Sequence, residues 1–104
     1  MVSNKSLFEE EGKRRLLDVL RQSFPSLETG YILHWIPEQE EDFYKILIND
    51  SLIADIELNR TIQDVVPTIN SMPLSQYKVG LIKINQKKLA VAVDLARKDL
   101  KKAK

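Results

Sequence analysis

The strongest constraint on what this chain can fold into is a change of period. Between Tyr31 and Asn59 its apolar residues recur at every second position, while the flanking segments repeat at helical spacing. At the centre are two runs, FYKILIN and LIADIELN, around Asn49-Asp50-Ser51. The apolar faces Tyr44/Ile46/Ile48 and Leu52/Ala54/Ile56/Leu58 meet only if residue 48 pairs with residue 52, because a slip of one residue turns every side chain to the other face. The connection is then a loop over Asn49–Ser51, with Asp50 or Ser51 taking the left-handed conformation. Upstream, YILHWIP reads as a further strand closed by Pro37. Strict alternation puts Tyr31, Leu33 and Trp35 on one face and Ile32, His34 and Ile36 on the other.

The flanks read as helices. Ser6 and Glu9 have capping-box spacing, and Phe8, Leu16, Val19 and Leu20 continue a helical stripe that stops at Phe24-Pro25. Gly12 weakens that helix by about 1 kcal/mol relative to Ala, which shortens or frays its first turn. TIQDVVPTINSM offers a second capping box, Thr61 to Asp64, with Ile62, Val65, Val66 and Ile69 at helical spacing. Because Pro67 interrupts that pattern, the helix either begins near Asp64 or is only a turn or two long. PLSQYKVGLIKIN fits a helix capped by Ser75 or a fourth strand; the helix is preferred because Asn85 then separates two helices. Over residues 85–103, Leu89, Ala92, Val93, Ala96, Leu100 and Ala103 fall on one stripe at 100° per residue, which marks a core face. The expected fold is α+β in a single domain spanning 1–104. It has an N-terminal helix, a three-stranded antiparallel meander, and C-terminal helices packed on one sheet face. The other face, carrying Ile53, Asp55, Glu57 and Asn59, is expected to be partly wet or used in pairing.

Charge is unevenly placed. The net charge is +1, but residues 38–64 hold eight acids against Lys45 and Arg60, and residues 77–104 hold nine bases against Asp94 and Asp99. Such a separation builds an electrostatic dipole rather than a polyanion-binding surface. The chain has no cysteine, which excludes disulfides and thiolate chemistry and fits a reducing, cytoplasmic setting. The longest apolar run, around Leu89–Val93, is far below the ~20 residues of a membrane span, and the N-terminus has no signal-like apolar region. No membrane partner is expected.

The candidate functional residues follow from these charges. Glu38, Glu40, Glu41 and Asp42 form an acidic connection suited to a basic partner or to the last helix of a second copy. They lack the alternating acids and turn glycine of a calcium loop. On the last helix, Val91 and Leu95 lie off the core stripe. They either pack beneath residues 74–84 or leave an apolar edge rimmed by Lys88, Lys98 and Lys102. Asp94 sits among the lysines, four residues before Lys98, which makes an intrahelical ion pair and opposes phosphate binding. His34 alone builds no zinc site, and Asp55 with Glu57 reads as a polar sheet face. No Gly-rich nucleotide loop is present, and no cofactor is expected. The sequence favours a non-enzymatic protein-protein interaction module such as an adaptor, an immunity-like inhibitor or a regulatory subunit, with homodimerisation open. A weak nucleic-acid binder using Lys87, Lys98, Lys101 and Lys102 is the alternative. An enzyme using Asp55/Glu57 or His34 in a cleft formed with another chain is a third reading.

Overall fold

The computed structural model describes residues 6–10, 12–59 and 66–102. A 3-10 turn, Leu7–Glu9, leads to α1 (Arg14–Ser23), then strands β1 (Gly30–Pro37), β2 (Glu41–Ile48), β3 (Leu52–Asn59) and β4 (Thr68–Pro73). Helices α2 (Leu74–Lys78) and α3 (Lys83–Lys102) complete it. The strands form one antiparallel sheet in the order β1-β2-β3-β4. The class is α+β, as the period change implies, but the meander has four strands rather than three.

The fourth strand replaces the helix expected before Met72. Thr68–Pro73 pairs with β3, Ile69 opposite Ile56 and Met72 opposite Ile53. Pro67 and Pro73 bracket it, and a proline-flanked strand survives only at a sheet edge, where the missing N–H groups are not needed. The Thr61–Asp64 capping box lies outside the described residues. Further on, α2 is five residues long and Ser75 does not cap it; its N-cap is Pro73, and the Leu74 N–H donates to the Ser51 carbonyl at 2.9 Å. The break between the last two helices falls at residues 79–82 rather than at Asn85.

The β2–β3 hairpin keeps the register set by parity, with Ile48 opposite Leu52 and Tyr44 opposite Ile56. The left-handed residue is Asn49, at φ 52°, rather than Asp50 or Ser51. Asparagine tolerates that conformation, and here its amide has a second use. Its Oδ1 accepts from the Glu28 and Thr29 N–H groups at 2.8 and 3.1 Å, and its Nδ2 donates to the Ser26 carbonyl at 3.1 Å. The turn therefore anchors the approach to β1.

Strict alternation fails in β1. The register slips between Ile32 and His34, leaving Leu33 as a bulge. Tyr31 and Leu33 stay on one face, but Trp35 is carried to the other, where it stacks on Tyr44 at 6.0 Å between centroids. His34 lies opposite Lys45, on the face of Tyr31. At the N-terminus, Gly12 adopts φ +78° and divides the expected single helix into the 3-10 turn and α1. Ser6 does cap, but through the Phe8 N–H at 3.3 Å.

Helices cover both faces of the sheet. Leu7, Leu16 and Leu20 pack with Ile32, Tyr44, Ile46, Ile48, Ile56 and Leu58 on one side. On the other, Leu89, Ala92, Val93 and Ala96 of α3 pack with Tyr31, Leu33, Leu47, Ile53 and Leu74. The face expected to be wet at Ile53 is thus buried there, because α3 reaches it. Farther along the same face, Asp55 and Glu57 are not enclosed.

Candidate functional site

The charged surfaces are positioned by opposite ends of one hairpin strand. At the start of β2, the Glu38 N–H donates to the Glu41 carbonyl at 2.8 Å and closes the β1–β2 turn, with Pro37 opposite Asp42. Glu38 and Glu40 project into solvent from that turn, and Glu41 is partly exposed at the strand's first position. None of the three makes an ion pair with another described residue. Asp42 departs from the acidic surface that its sequence neighbours suggest. It is 7 % exposed and accepts the Trp35 indole N–H at 3.1 Å. Its carboxylate is a structural acceptor, a role concealed in sequence because its donor depends on the bulge at Leu33.

At the other end of β2, the C-terminal half of α3 is fastened to the sheet. Asp99 accepts from the Thr29 hydroxyl at 2.9 Å and from the Tyr31 hydroxyl. Burial, reinforced by the Asp99 carboxylate, pushes the Tyr31 phenol well above its ordinary range. Arg97 approaches Asp50 of the hairpin turn at 3.6 Å, and Lys98 pairs with Asp94 at 3.3 Å within the helix. Lys88, Lys98 and Lys102 are exposed. Leu95 is partly buried against the Tyr31–Leu89 core, while Val91 is half exposed. The two off-stripe residues therefore separate, one packing inward and the other remaining at the surface.

Beside α3 the same sheet face is only partly covered, with the Lys45 ammonium 5.1 Å from the Tyr77 ring centroid. Two cross-strand rows lie partly open there, His34–Lys45–Asp55–Asn70 and Ile36–Phe43–Glu57–Thr68. They line a shallow concavity of about 330 Å³. Lys45 stands between His34 and Asp55 in the first row and pairs with Asp55 at 3.1 Å. Lys45 thus stands between the histidine and the carboxylate in this row. Among the described residues, no group of three or more His, Asp or Glu side chains is placed to hold a metal ion. Comparison with protein-family models, with curated proteins and with solved structures gives no match.

Sequence reasoning missed a second aromatic feature on the α1 face. The Lys13 ammonium lies 3.7 Å from the Trp35 ring centroid and donates to the Tyr44 hydroxyl at 3.1 Å. No local signal reveals it, since Lys13 and Tyr44 are 31 residues apart and Trp35 reaches this face only through the bulge.

Proposed function

We propose that this protein is a non-enzymatic protein-binding module that orients its partner by charge. One observation carries the reading. Glu38, Glu40 and Glu41 at one end of the β1–β2 hairpin and Lys101 and Lys102 at the end of α3 are exposed or partly exposed, opposite in sign, and not neutralised by one another. The Asp99 anchor and the Arg97–Asp50 pair hold the lysine end beside the far turn of β2, about 24 Å of strand from the acidic turn. Rigidly separated charges of opposite sign steer encounter and fix orientation. The pairing of Lys98 with Asp94 supports a protein partner over a nucleic acid, because an acid within the basic face lessens counterion release.

The test is affinity capture from a native lysate of the source cell, with and without nuclease and over a range of salt. Wild type is compared with a variant carrying Glu38→Lys, Glu40→Lys and Glu41→Lys. A discrete protein captured by wild type after nuclease treatment, weakened by salt and lost with the triple variant, is the expected result. Capture that ignores both salt and charge reversal overturns the reading. Recovery of nucleic acid alone assigns the basic helix to phosphate binding instead.

A further inference from the structure

The turn between α2 and α3 leaves large aliphatic side chains in water. Val79 is 86 % exposed, Ile82 64 %, Ile84 60 % and Val91 51 %. Val79 and Ile82 flank Gly80 in the turn. On α3, Ile84 and Val91 are seven residues apart, and at 100° per residue both point about 200–220° away from the core residue Leu89. The turn and the outer back of the helix thus both carry aliphatic surface that the fold does not use. Isolated exposed hydrophobes need no explanation, but a group of four in a stretch of 13 residues marks a contact surface.

The charges around it are of one sign. Lys78, Lys83, Lys87 and Lys88 are exposed, and no acid occurs from Tyr77 to Val93. The next acid on the outer face, Asp94, is paired with Lys98, and Asp99 turns inward to Thr29 and Tyr31. Among the described residues, no helix is long and apolar enough to cross a membrane, so any bilayer contact here is peripheral.

From this we infer that the 78–91 surface docks on an anionic lipid bilayer, with the aliphatic groups entering the headgroup boundary and the lysines meeting acidic headgroups. The residue types choose the bilayer over an acidic protein. Protein interfaces concentrate aromatic residues and arginine and exclude lysine from their centres. This surface has four lysines and no arginine, and the one aromatic nearby, Tyr77, is partly buried against the core. A lysine extends its ammonium to the headgroups while its methylene stem lies on apolar surface. Clusters of four or more lysines beside an apolar surface are the sequence mark of acidic-lipid recognition. The acidic turn at Glu38–Glu41 belongs to the sheet rather than to the helix that carries the lysines.

The full chain is tested by co-sedimentation with vesicles of phosphatidylcholine alone and of phosphatidylcholine mixed with phosphatidylserine. Binding is expected only to the mixed vesicles, and it falls as salt rises. Lys87→Gln and Lys88→Gln each weaken it about fivefold. The double variant Val79→Asp, Ile82→Asp weakens it more than tenfold, while its melting curve stays that of wild type because both residues are exposed. Equal binding to neutral vesicles, binding to neither, or an undiminished Val79→Asp, Ile82→Asp variant overturns the inference. Polyglutamate and glycerophosphoserine are the remaining probes. If polyglutamate is bound and vesicles are not, the surface receives an acidic protein. If soluble glycerophosphoserine is bound as tightly as the vesicles, the surface reads the headgroup without a bilayer. Either result also overturns it.

Discussion

The two faces of the sheet are sealed by different means. Under α1 the contact is made by volume: Leu7, Leu16 and Leu20 meet isoleucines and leucines of all three leading strands. Under α3 the helix contributes Ala92 and Ala96, both fully buried and without side chain beyond Cβ, so the helix lies close to β1. Leu89 and Val93 of the same helix are buried too, and there a polar clamp of Thr29, Tyr31 and Asp99 joins the packing. The first face is covered except toward Trp35, which is 46 % exposed; the second leaves two rows of the sheet partly open. The open rows and the exposed lysines of α3 lie on the side held by the clamp.

If this contrast is right, cavity formation hurts most on the α1 face. Leu20→Ala is expected to lower unfolding free energy by about 2–5 kcal/mol in urea titrations, since Leu20 is fully buried. A loss below about 1 kcal/mol would show that this face relaxes as readily as the other. The clamp gives the next largest effect. Tyr31's folded-state pKa is raised, so its contribution is intact below the unfolded value of about 10 and declines as pH rises above it. Tyr31→Phe is expected to cost about 1–3 kcal/mol near neutral pH and to remove that part of the alkaline decline. Thermal melts of both proteins through the alkaline range check the sign; parallel decline would remove Tyr31 from the account. Smallest is the pair on the outer back of α3. Asp94→Ala should change stability by less than about 0.5 kcal/mol, because Lys98 and Asp94 are both largely exposed.

The legibility of this fold follows local physics. The hairpin register was readable because parity admits one loop length, and Asp50 and Ser51 lost the left-handed position to Asn49 for a reason outside the loop, its bonds to residues 26–29. The helical stripe of α3 was readable through Leu89, Ala92, Val93 and Ala96, all buried. Thr68–Pro73 does not read as a strand because an edge strand buries few side chains: of its residues Ile69 and Met72 pack, so no alternation is imposed. The bulge at Leu33 was invisible, since YILHWI alternates whichever face each residue takes, and with it went the placement of Trp35 and the burial of Asp42. Of the candidate surface, the exposure of Glu38, Glu40 and Lys102 was legible from charge. The exposure of Val79, Ile82 and Ile84 is not legible, because nothing in PLSQYKVGLIKIN separates apolar residues that pack from those left in water.

The order β1-β2-β3-β4 bears on how the molecule comes together in time. Each strand pairs with its sequence neighbour, so the β1–β2 and β2–β3 pairings close loops of only a few residues. The bond between Tyr31 and Asp99 spans 68 residues. Loop entropy makes the short closures cheaper and earlier, and contacts of low sequence separation speed the search. On this reasoning the α3 surface, with its lysines and Ile84, is expected to take its final orientation after the sheet beneath it has formed.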